Sequence, residues 1–190
     1  IDSHVPVSVD TFRADIARHC VKDLGVDIIN DISGAGDPEM AQTVAELGVP
    51  YVLMHMRGTP SDMQRRTDYG EDVVASVLTE MSRSYERLVC AGVGDIIIDP
   101  GFGFAKTLEQ NYELMRHLEA FAVFGRPIFV GISRKSMITR LLDIPTDAAL
   151  NATTVLNTIA LERGAAILRV HDVRAAKQAV TIYEAVYGRL

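Results

Sequence analysis

Arg169 and His171 stand two residues apart where the apolar run at 165–170 ends. In an extended strand, residues two apart share a face, so guanidinium and imidazole point the same way with Ile167, while Leu168 and Val170 point into an apolar layer. Two such donors beside a strand end make an anion site. The simpler reading is a solvated strand end whose arginine pairs with Asp172. The arrangement recurs, however. Asp10, Asn30, Asp99 and Ser133 each lie near the end of a β-rich run, with one aliphatic face and one face that turns polar or small only near its carboxyl end. Met54 shares its face with Val52 and Met56, and Gly131 shares that of Ser133.

Each residue also has an ordinary use. Asp10 and Asp31 can cap the helices that follow them; that suits Asp31, whereas the parity of Asp10 favours the shared polar face. Asn30, in an isoleucine-rich strand, needs partners for its amide when buried, and a planar polar ligand would supply them. His55, between two methionines, has the opposite parity and reads as a core histidine, while His4, His19 and His117 have no constellation around them. The glycine-rich turn from Asp99 to Lys106 lets backbone approach a ligand, and Phe102 and Phe104 on it are either a lid or a platform for a flat ring. In Ser133-Arg-Lys-Ser136, Lys135 reads as a donor to a carbonyl or carboxylate. A Schiff-base role, with Arg134 depressing its pKa, suits it less because it lies beyond the strand.

The elements that must position these residues alternate. β-Rich runs at 5–10, 26–32, 50–56, 95–99, 127–133 and 165–170 are followed by helical patterns near 13–24, 38–47, 71–91, 109–122, 147–163 and 174–187. A polar loop at 57–69 and a short helix at 137–142 complete the pattern. Asp37-Pro38 supplies a cap and a first-turn proline for the second helix, and Gly25 and Gly48 close helices. Strict alternation implies a parallel sheet covered by helices. An open doubly wound sheet normally has a glycine-rich turn after its first strand, and Asp10-Thr-Phe-Arg13 is not one. Two more units would bring the chain to roughly 250 residues, the size of a (β/α)8 barrel. The expectation is a (β/α)8 TIM barrel of which this chain supplies the last six strand-helix units, one domain over 1–190 that is incomplete at its amino end. Ile1 at the start, where Met would stand in a natural beginning, agrees with that. Functional residues then belong at the carboxyl ends of the strands.

Composition narrows the partners. A chain of 190 residues, 48% hydrophobic and 23% charged, is an ordinary globular protein. Its net charge of -6 argues against nucleic acid or an anionic membrane as main partner, so a local pocket must catch any anion. No apolar run approaches the roughly 18 residues of a membrane span, and no signal peptide is expected. Cys20 and Cys90 fall in separate helical patterns without a Cys-x-x-Cys, and are expected to be buried thiols of a cytoplasmic protein.

Six segments together closely resemble the dihydropteroate synthase family, a group of pterin-binding barrels: Asp10-Thr-Phe12, Ile29-Asn-Asp-Ile32, the stretch from Leu53 to Pro60, Asp99-Pro-Gly-Phe-Gly-Phe104, Gly131-Ile-Ser-Arg-Lys-Ser136 and Leu168-Arg-Val-His-Asp-Val173. The resemblance covers essentially the whole chain in order. It implies a folate-pathway transferase, the sulfonamide target, that joins 6-hydroxymethyl-7,8-dihydropterin diphosphate to para-aminobenzoate, giving 7,8-dihydropteroate and pyrophosphate. It also implies a homodimer. Carried over by position, the pterin pocket falls on Asp10, Asn30, Met54, Asp99, Gly131, Lys135 and Arg169. Arg169 and His171 would hold the diphosphate, and Phe104, Ser133 and Lys135 would meet the aminobenzoate. The catalytic set would be Asp10, Lys135, Arg169 and His171: diphosphate leaves first, Asp10 stabilises the pterin cation, and the aniline attacks without a general base. Mg2+ is implied as cofactor, its ligand expected in the missing amino-terminal segment and none in this chain. Ala105 departs from the family's usual glycine. Alternatives are a non-catalytic pterin-binding paralogue, and a methyltetrahydrofolate-dependent methyltransferase barrel, which has no use for a diphosphate clamp.

Overall fold

The computed structural model describes residues 5–188. Six strands are present: β1 (Ser8–Asp10), β2 (Ile28–Asp31), β3 (Tyr51–Met54), β4 (Ile96–Asp99), β5 (Ile128–Val130) and β6 (Ala165–Leu168). They alternate with α1 (Ala14–Leu24), α2 (Met40–Leu47), α3 (Val73–Cys90), α4 (Leu108–Arg116), α5 (Ser136–Leu142), α6 (Leu150–Glu162) and α7 (Val173–Val186), α5 and α6 both lying between the last two strands. The sheet is parallel, with strand order identical to chain order. A doubly wound sheet reverses direction at a switch point. This one never does, so it is an arc of a barrel.

The arc buries its convex face. Ile29, Tyr51, Leu53, Ile96, Ile98 and Val130 are at most 1% exposed and share a core with Met40, Val77, Met81 and Leu114 from the helices. Each such side chain contributes about 1.5–3 kcal/mol by leaving water. The alternate residues face the concave side, and register lines them up. Asp10 pairs with Asn30 and Met54 with Asp99 across the ladder. Between β5 and β6 the register slips once, Ile128 opposing Ala165 but Phe129 opposing Ile167, leaving Ala166 as an extra, exposed residue.

Local chemistry explains several helix ends. Thr107 and Gln110 form a reciprocal capping box on α4, at 3.2 and 2.8 Å. Asp72 accepts from the Ala75 amide at the start of α3. Gly25 and Gly48 take left-handed φ at the ends of α1 and α2.

Several expectations need correction. Asp37 caps the turn that leads into α2, its Oδ1 accepting from the Glu39 amide at 3.0 Å, but the helix proper starts later than expected, at Met40; its other oxygen accepts from the Ala14 amide at 2.9 Å, at the head of α1. Asp31 caps no helix either. Fully buried, it accepts from the amides of Ser33 and Ala35 and from the Tyr51 hydroxyl. The helix expected at 109–122 breaks at His117 and continues as a 3-10 turn, Leu118–Phe124, whose Leu118, Phe121 and Phe124 repeat at the three-residue period of that helix. Cys20 is buried, but Cys90 is exposed because it ends α3 on the side away from the sheet. His4 lies outside the described residues. Among the described residues, no helix is long and apolar enough to cross a membrane.

Candidate active site

The carboxyl ends of all six strands open on the concave side. Asp10 ends β1 and Asn30 lies in the last pair of its ladder, so their side chains are neighbours: Asn30 Nδ2 donates to Asp10 Oδ1 at 2.8 Å. From the other edge of the sheet, Arg169 Nη2 donates to Asp10 Oδ2, also at 2.8 Å. The Arg169 amide bonds the Val130 carbonyl, which carries strand pairing one residue past Leu168 and aims the side chain inward. The arginine that pairs with Asp172 is Arg134, through Nε at 2.9 Å and Nη2 at 2.8 Å. Thus the simpler reading of Arg169 fails.

Asn30 Oδ1 is buried and has no hydrogen-bond partner among the described residues. A buried amide oxygen without a donor costs on the order of 1–3 kcal/mol, and is retained where a ligand supplies the donor. Asp99, 6% exposed, accepts from the Gly101 amide at 2.8 Å. Burial pushes its carboxyl pKa up, while the charges of Lys135, Lys106 and Arg169 oppose that rise. Met54 is buried beside it in the ladder.

Lys135 closes the site from the β5 side. Burial pushes its ammonium pKa down, with Asp99 opposing and Arg169 adding to the effect. Its Nζ donates to the Phe102 carbonyl and lies 4.4 Å from the centre of the Phe104 ring. Arg134 does not tune it, contrary to the Schiff-base argument: Arg134 is committed to Asp172 and to the carbonyls of Thr146 and Asp147. A Cβ at Gly131 would touch Arg169 Cβ at 3.7 Å, so the glycine leaves a flat floor under the arginine.

Ser133 is buried, and its hydroxyl lies 3.2 Å from the His171 amide and 3.0 Å from His171 Nδ1. It therefore orients the imidazole and leaves Nε2 as the nitrogen available to a ligand. His171 is exposed.

The turn at 99–106 is held in an uncommon shape. Gly101 and Gly103 have φ of 74° and 81°, and Ala105, without the freedom of glycine, has φ of 51°. A Cβ at Gly101 would overlap the His55 carbonyl oxygen. Gln110 Nε2 donates to the Thr67 carbonyl at 2.8 Å, tying the 57–69 loop to this side of the mouth.

Two features escaped the sequence reading. Lys106 is 4% exposed, and His55, correctly placed in the core, is bonded to both Lys106 and Glu80. Among the described residues no cluster of three or more His, Cys, Asp or Glu side chains is placed to hold a metal ion.

The chain matches the family model described as pterin binding enzyme over residues 1–171. It is 38% identical over 181 residues to dihydropteroate synthase of Haemophilus influenzae, covering 94% of this chain and 65% of that protein. It therefore spans about two thirds of the length of such curated relatives. The crystal structure of Yersinia pestis dihydropteroate synthase with a sulfonamide drug superposes with a TM-score of 0.93 at 36% identity, covering 98% of this chain and 68% of the other. Dihydropteroate synthase of Thermus thermophilus in complex with 6HMPPP gives 0.92 at 38% identity, covering 96% and 73%. The Thermus protein has also been solved with 4-aminobenzoate.

Proposed function

Because the chain belongs to the pterin binding enzyme family, we propose that it forms the larger part of a dihydropteroate synthase. The reaction joins 6-hydroxymethyl-7,8-dihydropterin diphosphate to para-aminobenzoate. The bond between the pterin methylene carbon and the diphosphate oxygen breaks, diphosphate leaves with the electron pair, the aniline nitrogen bonds that carbon, and its proton passes to solvent.

One observation carries the reading: Asn30 Oδ1 is buried, and unpartnered among the described residues, between strand ends that supply Asp10 and Asp99. A pterin edge presents N–H donors side by side, which is what an amide oxygen and a buried carboxylate lack. Lys135 would donate to the ring carbonyl or N5, and Arg169 would stack on the ring plane. Met54 and Gly131 would line the pocket. The Asp10–Arg169 pair, about half exposed on both sides, costs little to open. Turning Arg169 to the diphosphate, beside His171 Nε2, would free the Asp10 charge for the pterin cation as it forms. Phe104 would face the aminobenzoate, with Lys135 reaching both substrates and Ser133 acting there through His171.

The mouth itself does not fit a bound divalent ion: Asp10 is shared by Arg169 and Asn30, and Asp99 by the Gly101 amide. Any magnesium would travel with the diphosphate and need ligands beyond these residues, so no step is assigned to it. A homodimer would cover the exposed Val173, Ile182 and Val186 of α7. A cytoplasmic location fits the exposed free thiol of Cys90.

The test is pyrophosphate release from the dihydropterin diphosphate, with and without para-aminobenzoate. Release that depends on aminobenzoate supports the proposal. Tight pterin binding with no release would make the protein a non-catalytic pterin binder.

A further inference from the structure

Lys106 carries its amino group inside the protein, with an acceptor for each of the three protons of its ammonium form. Its Nζ lies 2.9 Å from the Gly101 carbonyl oxygen, 3.0 Å from that of Phe104 and 3.1 Å from His55 Nδ1. Nδ1 can accept only if the ring proton sits on Nε2, and Nε2 faces Glu80 Oε2 at 3.1 Å. A carboxylate there accepts, so the tautomer follows from the partners. Glu80 is fixed in turn by Arg57, whose Nε lies 3.0 Å from both carboxylate oxygens. A continuous chain thus runs from α3 through the core to the turn after β4.

That turn is where Lys135 is seated. Its Nζ is held by the Phe102 carbonyl and lies over the Phe104 ring. Its Cδ would come within 3.1 Å of a Cβ at Gly103. The two carbonyls that Lys106 grips, Gly101 and Phe104, bracket these contacts. We propose that Lys106 is a positioning residue: anchored by His55 and Glu80, it fixes the 101–104 turn so that Lys135 stands where the pterin is bound. The proposal rests on the reading of Lys135 as a pterin ligand. Burial pushes the Lys106 pKa down to about 7, with Asp99 and Glu80 opposing the shift and Lys135 and Arg57 adding to it.

The experiment is a double-mutant cycle in the protein, read as the dissociation constant of 6-hydroxymethyl-7,8-dihydropterin diphosphate by calorimetry, with amide hydrogen exchange of residues 101–104 alongside. Lys135→Met should weaken binding about tenfold, the scale of one lost charged hydrogen bond. Lys106→Met should weaken it to a similar extent and speed exchange in the turn, and the double variant should lose no more than Lys135→Met alone. Additive losses, or a Lys106→Met protein that binds and exchanges like wild type, would overturn the proposal. If Lys135→Met binds normally, the reading of Lys135 is at fault, and exchange in the turn alone decides whether Lys106 builds the seat. Should Lys106→Met fail to fold, Glu80→Gln takes its place in the cycle, with the same outcomes deciding.

Discussion

Asp10 and Arg169 are separated by 159 residues and meet at 2.8 Å, joining the first strand of the sheet to the last. Neither is buried, so the pair is screened and contributes about 0–1 kcal/mol to stability. Its value lies in where it puts two opposite charges before substrate arrives. Asp10→Asn should therefore leave the urea midpoint nearly unchanged while lowering turnover by roughly 10²–10³, the range for losing one electrostatic stabiliser of a transition state. Unchanged turnover would remove Asp10 from the mechanism.

Asn30→Asp replaces the amide that donates to Asp10 with a second carboxylate at the same 2.8 Å contact. Like charges this close cannot both ionise freely, so one carboxyl pKa must rise. Binding of the dihydropterin diphosphate at pH 7 should weaken by about tenfold or more, about 1.4 kcal/mol. Part of the loss should be recovered as pH falls and the two carboxyls share a proton. Calorimetric titrations at two pH values check both statements.

Gly101→Ala meets two penalties, a φ of 74° and overlap with the His55 carbonyl oxygen. Left-handed backbone costs about 1–2 kcal/mol in an L-residue, and overpacking roughly another 1–3. The variant should lose stability on that scale in denaturant melts. Ala105→Gly is the contrast. Relief of a φ of 51° is offset by the freer unfolded chain and by the loss of a fully buried methyl group, so its midpoint should move by less than about 1 kcal/mol.

Burial holds the His55 imidazole neutral and lowers its pKa to about 4, while its bond to His55, and then that to Arg57, holds Glu80 at about 2. In both cases the unfolded chain binds the proton more readily, so stability rises with pH. The His55 contribution is complete above pH 6.5 and is lost as pH falls toward 4; that of Glu80 is complete above 4.5 and is lost toward 2. Urea midpoints should accordingly climb between pH 4 and 6.5. His55→Gln should flatten that segment, and an unchanged slope would show that another group governs it.

The fold was legible because each β-rich run carries its own parity, and parity survives when the strand is shorter than the run. Asp10 and Asn30 were assigned to one face from spacing alone, and the ladder makes them partners. Parity names a face but not a contact across the barrel. The partner of Asp172 shows this: Arg134 reaches it from a turn with φ of 55°, a conformation that no local pattern announces. Ser133 was placed with the substrate and is found bonded to His171, 38 residues away. Nothing local marks Lys106, because its partners are His55, 51 residues away, and carbonyls of its own turn.

The slipped register at Ala166 also bears on how this architecture tolerates change. Side chains on a strand reverse face with every residue gained or lost, so an insertion upstream of a catalytic strand would ordinarily turn its functional groups outward. Here the extra residue absorbs the phase between the helix that delivers β6 and the mouth that Arg169 serves. The slip acts as a vernier. A length change at this point can adjust the approach of the chain while the downstream half of the strand, and the arginine beyond it, keep their aim.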